Sequence, residues 1–152
     1  MKDNYLEDRK IFSDNIADKS FFEIIDHWTL YCGTQNMARY LYIYDVFKEI
    51  TDIPGDIAEF GSWKGSNVVF LAKLLSIFQS DSNKKVHCFE GFEGLNTFHE
   101  EDGDQDGLDG KYKGNYEDLL DVIRLYQLDG KLLIHKGLIQ NTVPTFVEDN
   151  PE

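Results

Sequence analysis

The spacing of apolar residues changes character near residue 54 of this 152-residue chain. Residues 1–19 are polar, with Tyr5, Leu6, Ile11 and Phe12 as scattered apolar anchors, and predict a loosely packed arm. Ser20 followed by Glu23 fits a capping box, which satisfies two free backbone N–H groups at a helix start. A short helix over "FFEIIDHW" should follow, and "CGTQN" then breaks the chain. From about Asn36 to Ile50, Met37, Tyr40, Leu41, Tyr44 and Phe47 share one face at helical spacing. "TDIPG" ends that helix, because proline disfavours a helical residue before it.

Beyond this point short apolar runs alternate with longer helical patterns. "GDIAEFG" (55–61), "KKVHCFEG" (84–91) and "GKLLIHKG" (130–137) read as strands. "SNVVFLAKLLSIF" (66–78) reads as a helix apolar nearly all round, the pattern of a helix pressed between layers. "NYEDLLDVIRLYQL" (115–128) carries Tyr116, Leu119, Leu120, Ile123 and Tyr126 on one face, and "QNTVPTFVEDN" starts a last short helix. Such alternation calls for a parallel sheet with right-handed crossovers. The expected fold class is α/β: a Rossmann-like parallel sheet flanked by helices. Residues 1–53 would form a helical N-terminal cap or lid on residues 54–152, within one structural unit. The aromatic residues Tyr40, Tyr42, Tyr44 and Phe47 are expected in the core or lining a pocket of that lid.

Composition narrows the function classes. With 28 acidic against 15 basic residues, the formal net charge is -13. Such a surface repels phosphate backbones and anionic bilayers, so neither nucleic acid nor a membrane is the expected partner. The longest apolar stretch, Val68 to Phe78, is interrupted by Lys73 and too short to span a bilayer. The N-terminal residues lack the apolar core of a secretory signal. Cys32 and Cys88 show no metal spacing and predict buried free thiols in a reducing compartment, hence a soluble cytoplasmic protein.

The candidate chemistry begins at "DIAEFGSWKGSN" (56–67). A dinucleotide fingerprint needs G-x-G-x-x-G, but its second glycine position holds Trp63. A P-loop needs four residues between its glycines and a lysine after the second. Gly61 and Gly65 enclose only three, and Lys64 precedes Gly65. What remains is acidic-x-Gly-x-x-x-Gly, with Glu59, Gly61 and Gly65. S-adenosylmethionine suits this arrangement, since it has a cationic sulfonium, a carboxylate tail and a ribose diol but no phosphate. Glu59 would face the cationic end, and the helix starting near Ser66 would point free N–H groups at the tail carboxylate. A plain strand-to-helix turn with glycines for tight packing accounts for the same spacing. The second strand ends in Glu90, placed to accept both ribose hydroxyls at the carboxyl end of the sheet, where ligands of open α/β folds bind. A solvated acid at a strand end is the alternative, and Glu93 reads as surface.

Taken together, "IPGDIAEFGSWKGSN", "VHCFEGFEGL" and "LIHKGLIQNTVP" resemble the macrocin O-methyltransferase (TylF-type) family of class I methyltransferases, over about residues 37–147. The resemblance implies transfer of a methyl group from S-adenosylmethionine to a hydroxyl of a sugar, a nucleotide-sugar or a glycosylated small molecule. It implies that Glu59, Gly61, Ser62, Trp63, Gly65 and Ser66 line the methionine and loop end. Glu90 would hold the ribose, Gly91 and Phe92 the adenosine, and Gly137 and Leu138 the adenine edge. Glu90 stands where the family more often has Asp. The family continues with a further strand whose acidic residues bind a divalent metal such as Mg2+. This chain stops at Pro151-Glu152, so the catalytic base and metal ligands are expected beyond it, and the first strand should have an unpaired edge. A nucleoside-binding module without catalysis, or an interaction protein assembling as a homo-oligomer, are the other classes kept open.

Two further features have plainer readings. Asp102, Asp104, Asp106 and Gly107 match the first half of an EF-hand, but the twelfth position is Lys113 rather than Glu. An acidic loop over cofactor or substrate is the expectation there. His27, His87, His99 and His135 show no metalloprotease spacing. His87 and His135 lie on strands that could be neighbours, and each reads as a core or surface histidine. Asp26 and His27 read as a surface helix.

Overall fold

The computed structural model describes residues 5–95 and 107–151. The chain divides into two compact units, Met1–Arg39 and Tyr40–Glu152.

The first unit is helical. Where sequence pattern predicts a loose arm, helix α1 runs Tyr5–Asn15. No Gly or Pro interrupts that stretch, and Glu7 and Asp8 in its first turn complement the helix dipole. The described residues of α1 are all exposed, so its apolar residues form no stripe from which a helix could be read. The single helix expected over "FFEIIDHW" is two, α2 (Phe21–Asp26) and α3 (Trp28–Tyr31), broken at His27 with φ -113 and ψ 31. The capping box is half made: Glu23 N donates to Ser20 Oγ at 3.1 Å, while the Glu23 carboxylate pairs with Lys19 at 2.8 Å. Helix α4 (Thr34–Ile50) begins two residues ahead of the expected start.

In the second unit, α4 ends where Thr51 Oγ1 donates to the carbonyls of Phe47 and Lys48 at 3.1 and 2.9 Å. These bonds satisfy carbonyls that a helix end leaves unpaired. Then follow β1 (Ile57–Phe60), α5 (Ser66–Phe78), β2 (Val86–Glu90), α6 (Tyr116–Leu125), β3 (Leu132–Lys136) and α7 (Ile139–Asp149). The sheet is parallel with order β1-β2-β3, as the alternation requires. Its register pairs Glu59 with Cys88 and Cys88 with Ile134. Among the described residues β1 pairs with a strand on one side only, β2.

Side chains alternate across the strands and so divide the core in two. On one face Ile57, Val86, Cys88, Leu132 and Ile134 meet Val68, Ala72 and Leu75 of α5, and Leu119 and Ile123 of α6. Each fully buried aliphatic side chain there contributes about 1.5–3 kcal/mol. The outer side of α5 presents Phe70 to Tyr40, and Phe78 to Tyr44 and Phe47, with ring centroids 4.9–6.3 Å apart. Helix α5 is therefore sandwiched, which is why it is apolar nearly all round. Tyr42 and Leu41 are exposed, so the aromatic set of α4 contributes to the core only in part.

The other sheet face is aromatic. Phe60 stacks on Phe89, and Phe89 on His135, with centroids 5.1 and 4.4 Å apart. Phe146 of α7 closes over Phe89, His87 and His135.

Candidate functional site at the strand ends

The carboxyl ends of the strands are tied together beyond the strands proper. Gly61 N donates to Phe89 O at 2.9 Å, and Gly137 N to Glu90 O at 3.1 Å. Gly61, Gly91 and Gly137 thus form a shelf without side chains across the sheet end. At Gly61 only the φ of +75 favours glycine, since a Cβ there would meet nothing within 4 Å.

From Gly61 the chain turns through Ser62, Trp63 and Lys64 to Gly65, where Gly65 N donates to Ser62 O at 2.8 Å. Gly65 is the left-handed N-cap of α5, and no side chain caps that first turn. A Cβ on Gly65 would stand 2.8 Å from both Leu119 methyls. Gly65 therefore serves close packing against α6, and Ser66 beside it is exposed.

Glu90 joins this loop to the end of β2. Its Oε2 accepts from Trp63 N at 2.6 Å and its Oε1 from Phe92 N at 2.9 Å. The Trp63 indole donates through Nε1 to Lys113 O at 3.2 Å and meets Tyr112 edge-on at 5.7 Å. Gly114 packs against the Trp63 backbone, where a Cβ would clash with the Trp63 carbonyl. The Phe92 ring turns into the core against Tyr116, so chiefly its backbone remains at the strand end. Glu59, half-buried, accepts from Asn67 Nδ2 at 3.4 Å. Leu138 is partly exposed at the N-cap of α7.

Beneath the loop lie Ser62 and Cys88. Burial pushes the Cys88 thiol up to about 11, outweighing the Ser62 hydroxyl, which pulls it down. That hydroxyl is buried, and no partner among the described residues meets it at hydrogen-bond geometry. Cys88 is buried and Cys32 half-buried, and both are free.

Two clefts open away from the shelf. One, of about 720 Å³, lies behind the loop and is lined by Gly65, Ser66, Lys73 and Leu119 among others. The other, of about 1240 Å³, lies between α7 and the aromatic sheet face. Its floor holds a chain that periodicity could not reveal. His87 Nε2 lies 2.9 Å from Asp56 Oδ2, and His87 Nδ1 lies 2.9 Å from His135 Nε2. The Asp56 carboxyl is held below its ordinary range: burial would raise it, but the hydrogen bonds from His87 and Lys85 N prevail. Burial, then the neighbouring His87, lowers His135. The two strands are adjacent as expected, but only their register shows that both rings share a face.

His27 is exposed, its Nδ1 3.0 Å from Glu23 O. Of the EF-hand-like stretch, Asp102, Asp104 and Asp106 lie outside the described residues; Leu95 bonds Lys111 and Gly110 at the base of that loop. Among the described residues, no three His, Cys, Asp or Glu side chains cluster to hold a metal ion, and nothing places Mg2+. Among them, too, no helix is long and apolar enough to cross a membrane.

A three-stranded parallel sheet flanked by helices, with a glycine loop and an acidic strand end, defines part of a Rossmann-like domain. The macrocin-O-methyltransferase (TylF) family model matches residues 31–150, and the chain belongs to that family. Among solved structures, calicheamicin methyltransferase CalS11 superposes with a TM-score of 0.84 at 17% identity, covering 99% of this chain and 64% of that one. The apo structure of CalS11, described as a TDP-rhamnose 3'-O-methyltransferase, gives 0.73 at 17%, covering 99% and 63%. The O-methyltransferase NovP gives 0.60 at 21%, covering 70% of this chain and 48% of that one. The chain thus spans under two thirds of the length of these structures. No curated protein matches it.

Proposed function

We propose that this chain carries the cofactor-binding half of an S-adenosylmethionine-dependent O-methyltransferase whose acceptor is a hydroxyl of a sugar, nucleotide-sugar or glycosylated small molecule. The observation that carries the reading is the shelf of Gly61, Gly91 and Gly137 beside Glu90, in a chain of the TylF family. The residues present fit the cofactor. The shelf leaves room for a flat nucleoside, Glu90 keeps oxygen lone pairs for a ribose diol, and the uncapped first turn of α5 offers N–H groups to a carboxylate. The buried Ser62 hydroxyl, beside the Cys88 thiol, lies in the same loop.

In this reading Glu59, Gly61, Ser62, Trp63, Gly65 and Ser66 hold the methionine and loop end. Glu90, Gly91 and Phe92 hold the nucleoside, and Gly137 and Leu138 border the base. The bound cofactor supplies the methyl group. The residues of this chain orient it, and orientation is a large share of what lowers the barrier to a bimolecular transfer. A sugar-type acceptor is supported by the description of CalS11 as acting on TDP-rhamnose.

Calorimetric titration with S-adenosylhomocysteine, using ATP and NAD as controls, tests the cofactor. Selective, saturable binding is expected, and Glu90→Ala should weaken it more than tenfold. A folded chain that binds all three ligands equally, or none, overturns the reading.

A further inference from the structure

We propose that Glu90 is a positioning residue that sets the glycine loop in its binding shape before any ligand arrives. Trp63 and Phe92 both occupy the left-handed region, with φ of 52 and 64. Bulky L-residues avoid this conformation because Cβ crowds the backbone carbonyl. Each offers its N–H to a different oxygen of the same carboxylate, at 2.6 and 2.9 Å. The two residues belong to different segments, one between β1 and α5 and one just beyond β2. A single side chain therefore holds two unfavourable backbone turns and the gap between them.

The two turns have different fixtures elsewhere. The Phe92 ring is locked in the core, with 4% of its surface exposed. Trp63 is held by its indole bond to Lys113 O, yet 43% of its surface is exposed. Its backbone N–H bond to Glu90 thus ties the exposed loop to the end of β2. The bridging geometry also accounts for Glu at this position. Aspartate is one methylene shorter and loses reach to at least one of the two N–H groups. A ribose contact by itself makes no such demand on the ligand-free protein. The proposal deepens the cofactor reading of the same site, but its first readout needs no ligand.

Amide hydrogen exchange at Trp63 and Phe92, measured by NMR on the ligand-free chain, tests it. In wild type both amides should be protected. In Glu90→Ala both should exchange at least tenfold faster, while the β2 amides of Val86 and Cys88 keep their protection. Glu90→Asp should expose at least one of the two, and Glu90→Gln serves if the alanine variant does not fold. The second readout is S-adenosylhomocysteine affinity. Trp63→Gly in the Glu90→Ala background should recover threefold or more, because glycine adopts the left-handed turn unaided. Exchange unchanged in folded Glu90→Ala and Glu90→Gln overturns the proposal, as does complete absence of recovery in a chain that binds the ligand. If no variant, wild type included, binds the ligand while the amides respond as stated, the clamp stands and the cofactor reading falls.

Discussion

Replacing Gly65 by alanine separates the packing role of the glycine loop from its binding role. Two terms act on the folded state. Gly65 has φ of +78, and a left-handed non-glycine residue costs about 1–2 kcal/mol. The new Cβ would also meet two Leu119 methyls at 2.8 Å. These are the movable end of a side chain, but Leu119 is only 3% exposed and has little room, so overpacking adds about 1 kcal/mol. The unfolded chain of the variant is stiffer, which returns about 0.4–1 kcal/mol. The net loss is about 2 kcal/mol. Gly61→Ala is the control. Its φ is +75 but its Cβ meets nothing within 4 Å, so only the conformational terms act and the loss is about 1 kcal/mol or less. Urea unfolding of both variants at constant m-value measures the difference. Binding of S-adenosylhomocysteine should rank them the other way, because only the Gly61→Ala methyl projects into the open space of the shelf. The reasoning fails if Gly65→Ala costs no more than Gly61→Ala. It fails too if Gly65→Ala and Leu119→Ala are strictly additive, since the smaller side chain would make room for the new Cβ.

Two further outcomes follow from a half-buried histidine and a buried thiol. His135 has a pKa lowered in the folded state, so below about 6.5 the unfolded chain takes up its proton first. Its contribution is fully present above that pH and lost as pH falls. The melting temperature should therefore decline from pH 7 toward pH 5, and His135→Phe, which keeps the stacked ring, should flatten that decline; an unchanged slope would refute the assignment. The Cys88 thiol, buried and raised to about 11, should resist a thiol reagent at pH 8 while half-buried Cys32 reacts. One thiol should titrate in the native chain and two in denaturant, and two reactive thiols in the native state would contradict the burial.

The strand–helix alternation after residue 54 was legible because each element must bury one side. Leu119 and Ile123 recur at helical spacing on α6 and are indeed buried against the sheet. Helix α1 was not legible, since a helix whose described residues are all exposed leaves no periodic mark. The break at His27 was equally silent, because the apolar run crosses it without change of composition. At the site, the order Glu59, Gly61, Gly65 and the strand-ending Glu90 could be read directly, as local chain geometry dictates which residue types can turn there.

What the sequence determined by itself was the parallel α/β plan and the loop at its carboxyl end. Both depend on near neighbours along the chain. Only tertiary structure decided what those residues touch. It put Leu119 against Gly65, the Phe92 ring in the core, and both Glu90 oxygens on backbone N–H groups of separate segments. It also joined Asp56, His87 and His135, which are far apart in the chain. These contacts depend on strand register and on how close two layers come. Both are settled by the sum of many packing contacts, which no single stretch of sequence records.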